Sequence, residues 1–481
     1  MAHKVYPPYF HRLIRTCAFQ AIGLALIYIL IACLISLSKH WSYNTYAFDL
    51  GIFSQSLWYT MKGNVLYNSP EGMSHFGYHF QPILLLLLPI FRIAPYSETL
   101  LVIQSIALGG SGYLIYRLAA TLGLEHKMAL LVEVFFLSSP LVHGVNFYDF
   151  HPVALAVPTL LVMILGLRGR RWVVFGVGLT LSLMTKEDVI VALAVFGGVM
   201  LLAQYLKGNR LRKAYLAIFL SSLAMGITAM VVAKIASGQD IPPMLRCITE
   251  RWPYQDRPFD IATAEAFGNF FSLESIFLFL SYFLPLAFLP LLSPLWISPV
   301  LFNVGKDMLA AYEGQKQLIQ YTAPAIPFLF AALIETLRAR LSLWITKGKK
   351  WLLIAIVVMS FSLSLLFDFI HLPQGVTFGA PAMPGVHEAA TTRIISFIPD
   401  GVTVTVPNHI FPHLCTRTYT YLPDGPGDGK LNSEYAIIDL QNMDSYQDKA
   451  SGRSINWERH FSTEYGVILR LDDVILLKRG N

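Results

Sequence analysis

Charge is scarce in this 481-residue chain. Asp, Glu, Lys and Arg make up 14% of it, against roughly 25% in a soluble globular domain. That shortage excludes an ordinary cytosolic enzyme. Cysteine is scarce as well. Cys17, Cys33, Cys247 and Cys415 show no metal-ligand spacing, and only Cys247 and Cys415 are placed to meet outside a membrane. No internal repeat is visible, which disfavours transporters built from inverted repeats. No cleavable leader is expected, because the first apolar run is long enough to span and lacks an A-x-A-like site. The net charge of +6 is read as basic cytoplasmic loops, not as a nucleic-acid footprint.

What the chain has instead is apolar sequence. Hydrophobic residues make up 55% and aromatics 13%, which excludes disorder, and mean hydropathy is +0.53. The apolar residues fall in blocks of roughly 17–22, the length that spans a hydrocarbon core. An α-helical polytopic protein of the cell (plasma) membrane is predicted.

Basic residues order the blocks. Lys4, Arg12 and Arg15 precede the first block, 16–37, and place the N-terminus in the cytoplasm. Blocks 99–116 and 128–145 are joined by a turn bracketed by Arg117 and Lys127, and block 153–167 ends at Arg168, Arg170 and Arg171. Residues 172–206 are one apolar stretch with basic clusters at both ends and Lys186, Glu187 and Asp188 in the middle. Both ends are then cytoplasmic, so the stretch is two short spans with the charged triplet at their outer turn. A polar outer loop at 237–274 separates block 214–233 from blocks 276–293, 294–311, 321–337 and 351–369. The count is about eleven spans.

Residues 1–370 are thus expected to form a transmembrane domain with a first outer loop at 38–98. Within that loop, the apolar segment 81–93 is too short to cross: its helix reaches about 20 Å against a core of about 30 Å. It is read as a juxtamembrane or re-entrant helix. From residue 371 charge rises and short strands are predicted at 402–407, 418–422 and 435–440. A polar helical stretch and a hairpin turning near Asp472 and Asp473 follow. Residues 371–481 are expected to form a small extracytoplasmic α/β domain.

On this topology the polar residues collect at the outer face. Asp49 follows the first span; His75 and His79 lie in the first outer loop. Asp149 and His151 sit between spans three and four, Lys186, Glu187 and Asp188 between spans five and six, and Lys316, Gln320 and Tyr321 before span ten. Carboxylates there suit a general base or a divalent metal ion, and lysine or histidine suits phosphate oxygens. Each residue also has a plainer reading. Asp49 can cap the amphipathic run that follows it, the Lys-Glu-Asp triplet can be a self-neutralising turn, and His409 and His413 can serve as cap and core. Glu133, inside a span, is read as paired within the bundle.

Several motifs carry a resemblance: FDLGIFSQSLW (48–58), HFQPILLLLLPIFRI (79–93), NFYDFHPVALAVP (146–158), KEDV (186–189) and PNHIFPHLCTRTYTYLPD (407–424). Together they resemble the predicted membrane protein family called domain of unknown function 2079, over about residues 46–440. That family is similar in turn to the polytopic C-type-fold glycosyltransferases, which use polyprenyl-phosphate sugars as donors. The resemblance implies Asp49 as the first acidic position and Asp149 as the second. The chain lacks the WWDYG-type and KPPL-type motifs of better-known members; His79-Phe-Gln-Pro82 stands in that place.

The expected function is therefore transfer of a sugar from a polyprenyl-phosphate donor to an extracytoplasmic glycan, lipid or protein acceptor, with membrane lipids around it. Asp49 is the expected base, with Asp149 and His151 positioning the acceptor or a metal. Lys186 would face the leaving phosphate, and His79, Glu187, Asp188, Lys316, Tyr321 and His409 would bind substrate. A transporter or flippase would instead need ionisable residues at the bilayer midplane, where Glu133 stands alone. A non-catalytic assembly protein is the other alternative.

Overall fold

The computed structural model describes residues 8–210, 212–240, 242, 259–310, 318–346, 350–371, 384–417, 419–423, 433–442 and 464–480. The protein is mostly helical. Among the described residues, four helices are long and apolar enough to cross a membrane: Thr16–Trp41, Ser97–Thr121, Glu187–Leu206 and Lys213–Ser237. Two bent helix pairs raise the number to six if each is one span.

Helix α1 (Pro8–Trp41) leads through a π-helical turn (Ala47–Gly51) into α2 (Ile52–Met61). A two-residue hairpin follows, β1 (Tyr67–Asn68) against β2 (Met73–Ser74). Then come α3 (Ile83–Ile93) and α4 (Ser97–Thr121). The end of α1 meets the start of α4: Trp41 Nε1 lies 3.4 Å and His40 Nε2 3.9 Å from Glu98 Oε1. Further along, Gly109 of α4 packs against Ala25, Tyr28 and Ile29 of α1. The two helices are therefore antiparallel, and the chain from 42 to 96 leaves and returns at one end of the pair. Helix α3 is 11 residues long with Pro89 inside it. It is amphipathic, burying Ile83, Leu84, Leu87 and Phe91. Its first amide, Ile83 N–H, donates to the Met184 carbonyl at 3.0 Å, which ties it to the charged triplet.

The block at 128–145 is not one straight helix. It is α5 (His126–Leu137) and α6 (Pro140–Phe147), bent by 46°. Pro140 causes the break, since it lacks an N–H and its ring collides with the preceding turn. After a 3₁₀ turn at Pro152–Leu155, α7 (Ala156–Arg168), α8 (Trp172–Leu183), α9 (Glu187–Leu206) and α10 (Lys213–Ser237) follow. The stretch read as a polar outer loop contains α11 (Phe259–Phe270). It is joined at 47° to the helical run that begins with α12 (Leu273–Phe283). The block at 276–293 also breaks. Beyond α12 the chain makes two 3₁₀ turns around Pro285 and Pro290, with Ala287 and Phe288 in the left-handed region. The remaining helices are α13 (Pro294–Leu309), α14 (Ile326–Thr346), α15 (Lys350–His371), α16 (Val386–Ile395) and the short α17 (Phe411–Leu414).

The C-terminal strands form one five-stranded sheet in the order β4-β3-β5-β7-β6. Strands β3 (Val404–Thr405), β4 (Thr420–Tyr421) and β5 (Tyr435–Asp439) pair in parallel. Strands β6 (Tyr465–Leu471) and β7 (Val474–Arg479) make an antiparallel hairpin with Asp472 left-handed at its turn. The polar helical stretch expected after β5 and the residue Cys247 lie outside the described residues.

The sheet docks onto the π-helical turn. Ala47 N–H donates to both the backbone carbonyl of Asn408, at 3.1 Å, and its Oδ1, at 2.8 Å. A Cβ on Gly51 would lie 2.7 Å from the Phe411 ring, so only glycine permits this approach. The Ser97 hydroxyl donates to the Pro412 carbonyl at 2.7 Å, and the His413 ring stacks on His40 at 4.1 Å.

The α1–α4 contact yields a test. A Cβ on Gly109 would lie 2.4 Å from Ile29 Cγ1 and 3.2 Å from the Ala25 carbonyl, whereas nothing lies within 4 Å of one on Gly110. Gly109→Ala should destabilise the detergent-solubilised protein by about 1–3 kcal/mol through overpacking. Gly110→Ala should not. Equal melting temperatures for the two variants would refute this packing.

Candidate functional site

The polar residues form a connected group where the 42–96 excursion, the loop before α7 and the α8–α9 turn meet. Asp49 lies on the π-helical turn and is half-buried. Its Oδ1 stands 3.0 Å from His151 Nε2, and the Tyr148 hydroxyl also hydrogen-bonds it. Asp149 is fully buried, and both its oxygens are committed: Oδ1 to Lys39 Nζ at 2.9 Å, Oδ2 to the Tyr46 N–H at 2.9 Å. Lys39 also donates to the carbonyls of Phe147 and Tyr148. Gln104 of α4 holds the loop from beneath. Its amide donates to the carbonyls of Val145, Asn146 and Asp149, and its Oε1 accepts from the His151 N–H at 2.9 Å.

A second part of the group faces it across Phe53, whose ring meets those of both His151 and His75 edge-on at 5.2 Å. His75 is held between Glu71, 2.9 Å from Nδ1, and Gln81 Oε1, 2.8 Å from Nε2. His79 Nδ1 donates to Glu187 Oε1 at 2.6 Å, and the Phe80 N–H donates to Glu187 Oε2. The His75 and His79 rings are 5.7 Å apart. Lys186 is buried, 3.2 Å from Asp188, with its ammonium 5.3 Å from the centre of the Tyr321 ring. Lys306 of α13 reaches the other oxygen of Asp188 at 3.3 Å and lies 3.2 Å from Asp307.

Electrostatics divides the roles. Burial first, then the neighbouring Asp149 charge, pushes the Asp49 carboxyl up to about 7. Burial, then the charges of Lys186, His79 and His75, holds His151 well below the ordinary histidine value. His151 Nδ1 lies 3.0 Å from the Phe150 carbonyl, which can only accept, so Nδ1 carries the proton and Nε2 is bare in the neutral ring. The short Asp49–His151 contact therefore contains one shared proton, which sits on Asp49 below about pH 7. His75 is the opposite case. Burial opposes its charge, but Glu71 outweighs burial and raises it, and both ring nitrogens face acceptors. Burial likewise opposes the charge on Lys186, yet Asp188 and Glu187 hold it cationic.

The arrangement thus brings together Asp49, Asp149, His151, Lys186, His79, Glu187, Asp188 and Tyr321. His409 is engaged elsewhere, because its Nε2 bonds Asp439 at 2.8 Å, beside His387. Lys316 lies outside the described residues. Sequence reading missed Lys39, Gln104, Tyr148 and Lys306. Among the described residues, no three His, Cys, Asp or Glu side chains are grouped to hold a metal ion. Asp149 is engaged by Lys39 and the Tyr46 N–H, and Asp49 by His151.

The raised Asp49 value fixes a pH dependence. Its folded value of about 7 lies above the unfolded value near 4. Stability from this group is full below about pH 4 and is lost as pH rises toward about 7. Asp49→Asn cannot ionise, so between about pH 5 and about pH 8 its melting temperature should fall less than that of the wild type. Parallel slopes would show that Asp49 ionises as in an unfolded chain.

No curated protein matches the chain. Among solved structures, the Archaeoglobus fulgidus oligosaccharyltransferase in its apo form is similar over 87% of this chain and 70% of its own, at 12% identity and a TM-score of 0.42. The family model "Predicted membrane protein (DUF2079)" matches residues 39–476. With nearly its whole length covered, the chain belongs to the DUF2079 family of predicted membrane proteins.

Proposed function

We propose that this protein is a membrane glycosyltransferase that moves a sugar from a polyprenyl-phosphate donor to an extracytoplasmic acceptor. The observation that carries the reading is the Asp49–His151 pair, a carboxyl raised to about 7 at 3.0 Å from a bare imidazole nitrogen, with the Lys186 charge acting on that imidazole. A base with a value near ambient pH is the one best matched to deprotonating a hydroxyl. The resemblance of the DUF2079 family to the C-type-fold enzymes supports the same reading.

In the proposed step, ionised Asp49 takes the acceptor hydroxyl proton as its oxygen attacks the anomeric carbon. The bond from that carbon to the phosphate oxygen breaks, and the polyprenyl phosphate leaves with the electron pair. The configuration inverts. Lys186 and Lys306 converge on a single carboxylate, Asp188, at 3.2 and 3.3 Å. That carboxylate marks a position between two ammonium groups where an anion is stabilised, and the leaving phosphate would draw on the same pair. Asp149 positions rather than reacts: it fixes Lys39 and Tyr46, which lead into the turn that bears Asp49. His79 and Glu187 would orient the donor, and Tyr321 would support Lys186.

The topology belongs to this proposal: eleven spans, a cytoplasmic N-terminus, residues 1–370 in the membrane and 371–481 outside. Cysteines placed at Lys186 and Lys349 should label from opposite sides of sealed vesicles; labelling from one side refutes it. Activity is tested with purified protein and polyprenyl-phosphate-linked hexoses and pentoses, reading release of polyprenyl phosphate. Asp49→Asn should lower the rate by about 10²–10⁴-fold, and Lys186→Gln or Lys306→Gln by about 10²–10³-fold. No turnover with any donor, together with an unchanged envelope glycan profile in an Asp49→Asn strain that keeps normal protein levels, would favour a non-catalytic assembly protein.

A further inference from the structure

The other end of the bundle holds a cavity of about 970 Å³ that the proposed reaction does not use. Helix α7 starts beside His151 and ends at Arg168; α8 starts at Trp172 and ends next to Lys186. The cavity lies at the Arg168–Trp172 end, one helix length, about 20 Å, from the Asp49 group. Five cations line it: Arg168, Arg170, Arg212, Lys213 and Arg338.

These charges are poorly compensated. Arg168 pairs with Glu335 and lies 5.6 Å over the Trp296 ring, and Arg338 shares the same Glu335 at 3.3 Å. Arg170, Arg212 and Lys213 make no ion pair among the described residues. Two helix N-termini add to the field. Neither α8 nor α10 has an acidic residue in its first turn, and each is preceded by an arginine, Arg171 and Arg212. That is the reverse of what the helix dipole favours. Helix α9, by contrast, opens on Glu187 and Asp188. Arg170 is also held at φ 55°, in the left-handed region, while the adjacent Gly169 sits at φ −80°. A positive-inside bias explains basic residues at cytoplasmic ends. It does not explain why they converge on one cavity at two uncapped helix starts.

The cavity wall is otherwise apolar, with Leu122, Leu167 and Phe175. On the flanking helices, Trp172 and Val173 of α8 and Leu216 and Leu220 of α10 present apolar side chains outward. We infer that this cavity binds the phosphate headgroup of an anionic phospholipid, with the acyl chains lying along the exposed faces of α8 and α10. The phosphate takes the charge of Arg170, Arg212 and Lys213 and the free N–H groups of the helix starts.

Purified full-length protein is exchanged into phosphatidylglycerol or phosphatidylcholine, and bound lipid is counted by native mass spectrometry at rising detergent concentration. Wild type should retain phosphatidylglycerol and not phosphatidylcholine. Each cation near an anionic lipid contributes roughly a fivefold factor in affinity, so Arg170→Gln/Arg212→Gln/Lys213→Gln should weaken retention about a hundredfold. The three single variants should each weaken it about fivefold, and Arg393→Gln, on exposed α16, should leave it unchanged. Equal retention of the two lipids by wild type would overturn the inference without any variant. Full displacement of phosphatidylglycerol by inorganic phosphate would also overturn it, assigning the cavity to a soluble anion. Neither outcome touches glycosyl transfer, which is read from polyprenyl phosphate release.

Discussion

The ion pair between Lys39 and Asp149 holds the site end of the molecule together. Its two partners come from the last turn of α1 and the loop before α7, and both are buried. Asp149 uses its second oxygen on the Tyr46 N–H, so one carboxylate grips both ends of the segment that delivers Asp49. A buried pair of this kind stabilises little by itself, but losing one partner leaves an uncompensated buried charge, at a cost of about 3–5 kcal/mol. The loop that presents Asp149 is fixed by Gln104, which satisfies three of its carbonyls and one amide. Four separate stretches of sequence are thus locked, and Asp49 takes its position from that lock; burial first, then the neighbouring Asp149 charge, raises its pKa.

Burial without neutralisation is what differentiates the histidines. His75 lies between a carboxylate and an amide oxygen, and against the opposing effect of burial Glu71 raises its pKa above the ordinary histidine value. His151 lies among positive charges and a backbone carbonyl and stays neutral. The difference follows from their neighbours, since both rings are buried and both pack on the same Phe53. Burial first, then the charges of Lys186, His79 and His75, keeps His151 from taking the proton of Asp49.

Much of this was legible in the sequence. Hydropathy located the long helices, because α1, α4, α9 and α10 are continuous apolar runs that need only length and composition. The strands of the C-terminal sheet fell where β-branched and aromatic residues alternate, and 81–93 is a short helix, Ile83–Ile93, as its length implied. Grouping Asp49, Asp149, His151 and Lys186 followed from the cost of charge at an apolar boundary. The breaks at Pro140 and at Pro285 and Pro290 were missed because average hydropathy does not register a proline. Lys39 was missed because a basic residue at the end of an apolar run reads as an interfacial anchor; only the fold shows it turning inward. Gln104 carries no pattern at all, since a single glutamine in an apolar helix becomes informative only when the loop it serves is known.

The C-terminal sheet also belongs to the site. Its Asn408 gives the Ala47 N–H two acceptors, and Phe411 lies against Gly51 so closely that no other residue fits there. These contacts flank Asp49 by two positions on each side. A π-helical turn has wider rings and weaker local preference than an α-helix, so it persists where outside contacts hold it. The same sheet reaches the α1–α4 junction, where the His413 ring stacks on His40 and the Pro412 carbonyl accepts from Ser97. Displacing the sheet would release the turn at both ends and uncover the start of α4. The geometry of the Asp49–His151 pair is therefore a property of the sheet and the bundle together, and any displacement of the sheet would alter that pair.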